Sequence, residues 1–141
     1  MNVLRMKLLR KEGASEKNFP LLLQAFAKFS GRHPDYRLRI FGEGELREEL
    51  TALARELEIA EKVELPGRST TLLEKMNSAA MFVLSSDYEG MPNALIEAMC
   101  LGLPVISTAV SGATDLIQNG ENGSFGILFF KVFNTLPISA T

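Results

Sequence analysis

Two glutamates, Glu89 and Glu97, flank the start of a predicted helix in a pattern that suits an anionic ligand. Pro92 fits the first helical position, where its missing N–H needs no partner. Met91 has no side-chain cap to offer, so the next amides and the positive end of the helix dipole are left for an anion such as phosphate. Gly90 allows close approach to the backbone. Because carboxylates accept hydrogen bonds from sugar hydroxyls, a diphosphate with a sugar at each end would fit.

The same glutamates also have a plainer interpretation. Glu97 lies four residues after Asn93, so the two share one helix face, and charged helix faces are usually just solvated. Glu89 could simply interact with the helix dipole. Periodicity by itself favours this interpretation, so the rest of the chain has to decide.

Apolar residues recur at helical spacing in some segments and form short continuous runs in others. Helices are predicted at 18–30, 45–57, 70–79, 92–101 and 112–118. Strands are predicted at 37–41, 62–65, 80–84, 104–107 and 126–129. This alternation predicts an α/β fold, a Rossmann-like parallel sheet with helices on both faces. Such sheets bind ligands beyond the carboxyl ends of their strands, which here selects the loops 42–44, 85–91 and 108–112.

Composition narrows the class of protein. The chain has 141 residues, a net charge of −2 and a single cysteine, Cys100. This favours one globular domain without a basic surface for nucleic acid, and it excludes an internal disulfide or a cysteine metal cluster. No apolar run reaches the roughly 20 residues of a membrane span, and the N-terminus lacks the features of a secretory signal. The single cysteine fits a reducing environment, and a cytoplasmic location is predicted.

Six segments match one family pattern in the same order. The glutamates stand in Glu-Gly-Met-Pro-Asn-Ala-Leu-Ile-Glu-Ala-Met, with seven residues between them. The other matching segments are Lys17-Asn18 with the helix after it, 38–44, 102–106, 111–117 and 119–123. Together they resemble the large retaining glycosyltransferase family 4, whose members have the two-domain GT-B fold. The resemblance runs from about residue 16 to residue 126.

The resemblance implies a role for each matching residue. Glu89 would hold hydroxyls of the transferred sugar, and Glu97 would accept hydrogen bonds from the ribose. Lys17 would neutralise the diphosphate and stabilise the leaving group. The remaining residues assigned to donor binding are Gly90, Met91, Pro92, Asn93, Gly42, Gly44 and Arg68. Arg68 follows Pro66-Gly67 on a loop that runs near the base in this family, although a solvated arginine is the alternative.

The resemblance also implies the reaction and its partners. The donor would be a nucleoside-diphosphate sugar, transferred with retention of configuration to a glycan or lipid-linked acceptor in polysaccharide biosynthesis. No metal or other cofactor would be needed, because electrostatic stabilisation of the leaving diphosphate is the core of the reaction. The departing phosphate is thought to help deprotonate the acceptor. Complete members often associate peripherally with membranes through their other domain.

The chain departs from the family pattern towards its ends. Glu12 stands where the family has an arginine that grips the diphosphate. Residues 1–15 are interpreted as a lead-in remnant, 16–130 as the nucleotide-sugar-binding domain and 131–141 as an irregular tail. The chain is therefore expected to be a truncated C-terminal donor-binding domain, with the acceptor-binding N-terminal domain missing.

Alternative functions for other single residues are less well supported by the sequence. Gly42-Glu43-Gly44 looks like the start of a dinucleotide fingerprint, with Glu64 near the distance of a ribose-binding acid, but Arg47 replaces the third glycine. NAD binding is therefore disfavoured. His33 is interpreted as a loop residue and Cys100 as an unactivated helix residue. The functional alternative is a non-catalytic nucleotide-sugar-binding module, or an inactive fragment that needs a partner chain for activity.

Overall fold

The computed structural model describes residues 2–7, 18–41, 46–67, 69–85, 93–108, 111–118, 121 and 124–125, with backbone alone at 2–7, 72–73, 111–112, 115 and 124–125. The helices are α1 (Phe19–Arg32), α2 (Arg47–Glu56), α3 (Leu72–Asn77), α4 (Asn93–Cys100) and α5 (Ser111–Leu116). The strands are β1 (Asn2–Lys7), β2 (Tyr36–Phe41), β3 (Val63–Gly67), β4 (Met81–Leu84), β5 (Val105–Ser107) and β6 (Ser124–Phe125). A short 3₁₀ turn, Ala60–Lys62, precedes β3.

The described strands form one parallel sheet in the order β3-β2-β1-β4-β5-β6. Parallel neighbours need a crossover connection, and the helices between the strands supply it. The strand order reverses between β1 and β4, which is the doubly wound Rossmann arrangement. The predicted α/β fold with a Rossmann-like sheet is therefore confirmed.

Helices cover both faces of this sheet, and β4 shows how its residues divide between them. Met81 and Val83 join the core that contains α1 and α2, whereas Phe82 and Leu84 join the core that contains α4 and α5. Successive strand residues point to opposite faces, so all four are buried. The fully buried large side chains of α1 are Phe19, Leu22, Leu23, Phe26 and Phe29.

The central strand β1 lies in a segment where the sequence predicts no strand. It pairs with β2 over its whole length and with β4 at Leu4 and Arg5. Buried parallel strands are recognised by near-continuous apolar runs, and Arg5 and Lys7 interrupt this one. The segment interpreted as a lead-in, residues 1–15, therefore contains a strand at the middle of the sheet.

The other predicted helices and strands agree with the described elements to within two residues at each end. The last predicted strand, 126–129, lies outside the described residues, as does the tail 131–141; β6 lies just before them. The predicted stop of α4 at Gly102 is confirmed. Its φ is +74°, and the amides of Gly102 and Leu103 bond to the carbonyls of Met99 and Ala98 at 3.0 and 3.1 Å. This is a Schellman motif, which favours glycine at the left-handed position.

The C-terminus of α2 has the same hydrogen-bond pattern without a glycine. Glu58 occupies the left-handed position with φ +59°, and its amide bonds to Arg55 O at 3.0 Å. The next amide, that of Ile59, bonds to Ala54 O at 2.9 Å. A side chain at this φ is unfavourable by about 1–2 kcal/mol. α2 therefore ends with strain that α4 avoids.

We expect Glu58→Gly to stabilise the protein by about 0.5–1 kcal/mol, because relief of the strain exceeds the added chain entropy of glycine. Urea unfolding would measure it. Glu56→Gly is the matched control, since it removes an exposed glutamate carboxylate two residues earlier, at the last helical position of α2, and should destabilise by up to about 0.5–1 kcal/mol. Equal signs for the two variants would contradict the left-handed assignment.

Candidate functional site

The residues predicted to bind a donor all follow the carboxyl end of a strand. Lys17 belongs to the β1–α1 connection, and Glu89, Gly90, Met91 and Pro92 belong to the β4–α4 connection. Gly42 and Gly44 follow β2, and Arg68 follows β3. All eight lie outside the described residues. Their roles stay predictions, but the described strands fix the edge of the sheet from which their connections leave.

The reversal of strand order marks where a ligand would bind on that edge. β1 and β4 are neighbours in the sheet, and the helices that follow them, α1 and α4, lie on opposite faces. Connections that diverge in this way leave a crevice at the carboxyl ends of the strands, and doubly wound proteins bind their ligands there. Lys17 and Glu89 belong to the two connections that border this crevice.

Helix α4 presents the two candidates that the structure describes. Asn93, its first residue, is exposed, and Glu97, one turn later, is half-buried. Ala94, Leu95 and Ala98 form its buried side. The predicted common face of Asn93 and Glu97 is therefore confirmed, and the helix is anchored through its other side by Leu95, which is fully buried. Docking by its apolar side leaves the polar side available to a ligand.

Helix α1 begins with an unusual backbone turn on the other side of the crevice. Asn18 has φ 47° and ψ 53°, a left-handed conformation that asparagine tolerates better than most residues. Its Oδ1 accepts the amide of Leu21 at 3.3 Å, and its carbonyl accepts the amide of Leu22 at 3.3 Å. N-cap residues are usually extended, so capping alone does not demand this turn. Asn18 directly follows Lys17, and composition gave no signal for its conformation.

The strand order also ranks the remaining candidates by distance. β2 is adjacent to β1, so a connection containing Gly42 and Gly44 starts close to the crevice. β3 lies three strand spacings from β4, roughly 14 Å. Arg68 therefore follows the edge strand, which lies farther from β4 and α4 than the strands that precede the other candidates.

Several residues considered from the sequence take structural roles instead. Glu64 pairs with Arg39 and, at 3.5 Å, with Arg37, so the acid considered for NAD is held by two arginines. His33 stacks on Phe29 with ring centroids 4.6 Å apart, after the end of α1 and away from the carboxyl edge. Its structural interpretation is confirmed.

Tyr36 packs edge-on against the Phe29 ring at 5.0 Å, and burial raises the pKa of Tyr36 above its ordinary value. Cys100 is exposed on α4, which contrasts with the usual burial of free cysteine.

Pattern reasoning missed other groups near the carboxyl edge. Lys75 of α3 lies over the ring of Phe41, the last residue of β2, with Nζ 5.6 Å from the ring centroid. Ser85, which follows β4, is fully buried, and so is Ser107, which ends β5. The sequence predicts Ser85 at the start of a loop and Ser107 at the end of a strand, and neither position by itself indicates that the hydroxyl is buried.

Within the ranges given above, no three His, Cys, Asp or Glu side chains are grouped so that they could hold a metal ion. None of the helices in the described part of the chain is long and apolar enough to cross a membrane.

Comparison with known proteins agrees with this architecture. The model of the family described as glycosyl transferases group 1 matches residues 10–127. An uncharacterized glycosyltransferase of Haemophilus influenzae is 36% identical over 110 residues, covering 77% of this chain and 31% of that protein. The N-acetylgalactosamine-N,N'-diacetylbacillosaminyl-diphospho-undecaprenol 4-alpha-N-acetylgalactosaminyltransferase of Campylobacter jejuni is 38% identical over 113 residues, covering 79% of this chain and 29% of that protein.

A solved structure extends the comparison to the fold. The Anabaena protein Alr3699/HepE in complex with UDP and glucose superimposes with a TM-score of 0.82 at 21% identity, covering 95% of this chain and 38% of that one. The chain thus spans about a third or less of the length of the first curated relatives that it matches. With the matched residues covering most of the chain and a parallel sheet of the GT-B type, the chain belongs to the group 1 glycosyltransferases.

Proposed function

We propose that this chain binds the nucleoside-diphosphate sugar donor of a retaining glycosyltransferase. The observation that carries the proposal is the position of α4. It follows β4 at the reversal of strand order, and its polar side carries Asn93 and Glu97. Family membership supports the same ligand class.

The charge and position of each candidate residue suggest which part of the donor it binds. Glu97 accepts hydrogen bonds from ribose hydroxyls, because an ionised carboxylate is an acceptor at both oxygens. Lys17, with the start of α4, neutralises the diphosphate between the two helices that flank the crevice. Glu89 holds the transferred sugar, lined by the backbone of Gly90, Met91 and Pro92.

The assigned groups suit retaining transfer. The bond from the anomeric carbon to the diphosphate oxygen breaks, and the electron pair leaves with the diphosphate. The acceptor oxygen bonds to the anomeric carbon on the same face, and the departing phosphate takes the acceptor proton. Charge builds on the leaving group as its bond breaks, so Lys17 contributes most in the transition state.

We place the acceptor-binding site in the part of the relatives that lies outside the matched residues. The Campylobacter relative is named for a diphospho-undecaprenol-linked acceptor, so a lipid-linked or polysaccharide acceptor is the class that we propose. The Anabaena structure contains UDP and glucose, which makes UDP the first nucleotide to test.

Titration with UDP, GDP, ADP and NAD during thermal unfolding tests the proposal. We expect one nucleoside diphosphate to stabilise the folded chain by about 2.7 kcal/mol at 100 times its dissociation constant. Glu97→Gln should weaken that binding about tenfold through loss of a charged acceptor. Glu56→Gln is the control, because Glu56 is exposed at the C-terminal end of α2, away from the carboxyl edge of the sheet. A cooperative transition unaffected by any nucleoside diphosphate would refute donor binding by this chain.

A further inference from the structure

Serines account for the buried polar side chains among the described residues. They are Ser30, Ser85 and Ser107, each at most 3% exposed. A buried hydroxyl is unfavourable unless it is hydrogen-bonded, so an apolar strand end would normally carry alanine or valine. Ser85 and Ser107 both lie at the carboxyl edge: Ser85 follows β4, which borders the crevice, and Ser107 ends β5, the next strand in the sheet. Their position there calls for a physical reason.

The Ser107 hydroxyl belongs to a chain of hydrogen bonds that joins two strand ends. Its Oγ donates to the carbonyl of Thr108 at 2.7 Å. The amide of Thr108 donates to the carbonyl of Leu84, the last residue of β4, at 3.0 Å. Leu84 and Ser107 are also partners in the parallel register. The side chain of Ser107 therefore holds the carbonyl of Thr108. The amide of Thr108 in turn binds the last carbonyl of β4.

The carbonyl and the amide of Thr108 belong to the two peptide groups on either side of this residue, and each group is planar. Because both are hydrogen-bonded, the backbone of Thr108 is fixed where the chain leaves β5. The same residue anchors the point at which the β4–α4 connection begins, and that connection contains Glu89. We propose that Ser107 is a positioning residue for donor binding. This inference rests on the proposed function, since Ser107 acts through Thr108 and the end of β4 rather than by touching the donor.

Ser30 provides a matched comparison within the same protein. It is 3% exposed, and its Oγ donates to a backbone carbonyl, that of Ala27, at 3.1 Å. It lies near the C-terminus of α1, at the opposite edge of the sheet from the crevice. Removing either hydroxyl deletes one buried hydrogen bond to a carbonyl. Only Ser107 is connected to the strand ends beside the crevice.

Calorimetric titration with UDP, or with GDP or ADP if that is the diphosphate bound, tests the inference. We expect Ser107→Ala to weaken binding about fivefold, the effect of losing one hydrogen bond, and Ser30→Ala to leave it unchanged. Urea unfolding of both variants would show whether their stability losses are similar. Equal affinities for the two variants would overturn the inference.

Two further measurements separate the hydrogen bond from packing and from the proposed function. Ser107→Cys is the replacement nearest in shape, slightly larger than serine and with a much weaker donor, so it should bind as weakly as Ser107→Ala; wild-type affinity in Ser107→Cys would overturn the inference. Amide exchange of the free protein needs no ligand. We expect exchange of the Thr108 amide to accelerate at least about tenfold in Ser107→Ala and not in Ser30→Ala, and unchanged exchange would overturn the inference even if no nucleotide binds.

Discussion

Replacing Phe26 with alanine is expected to lower the free energy of unfolding by about 3–5 kcal/mol. Phe26 is fully buried in the core that α1 and α2 form with the sheet, and its ring centroid lies 6.3 Å from that of Phe29. Truncation removes the transfer free energy of the ring and leaves a cavity that a packed core fills only partly. Urea unfolding at several protein concentrations would measure the loss.

Gln24→Ala is the control on the same helix, because Gln24 is exposed and its replacement should change stability by no more than about 0.5 kcal/mol. If Phe26→Ala does not fold, Phe26→Leu should fold with an intermediate loss. Similar stability for Phe26→Ala and Gln24→Ala would mean that α1 does not pack against the sheet through this face.

Replacing Lys17 with alanine is expected to weaken nucleoside-diphosphate binding by about 2–3 kcal/mol, roughly thirty- to hundredfold, which is typical of a hydrogen bond to a charged group. Lys17 directly precedes Asn18, whose left-handed turn starts α1 beside the crevice. Lys28→Ala removes the same charge from an exposed position later in α1 and should leave affinity unchanged. Calorimetric titration would measure all three proteins.

Titration with the matching nucleoside, uridine in the case of UDP, assigns this effect to the diphosphate. Uridine has the base and ribose but no phosphate, so Lys17→Ala should leave its affinity unchanged. Glu97→Gln should weaken uridine and UDP alike, because its proposed partner is the ribose. If Lys17→Ala lowered uridine affinity as strongly as UDP affinity, its effect would be structural rather than electrostatic.

The sheet topology explains how candidates that are distant in the chain could form the one site that we propose. Lys17 and Glu89 are separated by most of the domain, yet they follow neighbouring strands. Glu97 lies on the helix that follows Glu89. Donor binding would therefore depend on the relative position of α1 and α4, and on residues such as Ser107 that hold the ends of the strands between them.

Local pattern was sufficient for most elements. Apolar residues at helical spacing in α1 and α2, and the continuous run of β4, specified their type because each buries one face or both against neighbours. Gly102 marked the end of α4 because glycine suits the left-handed position. The ligand loops followed from a general rule of parallel sheets, and the pairing of Glu89 with Glu97 followed from resemblance to a family.

Tertiary structure decided what these local patterns do not contain. The charged strand β1 is a strand because β2 and β4 pair with it on both sides, an interaction between residues far apart in the chain. The burial of the Ser107 hydroxyl depends on neighbours brought in by the sheet, and the left-handed turn at Asn18 became visible only in the structure. Sequence by itself determined the α/β class, the family and the residue types at the candidate site. The strand order, and with it the crevice between β1 and β4, was decided by long-range pairing, which local periodicity cannot encode.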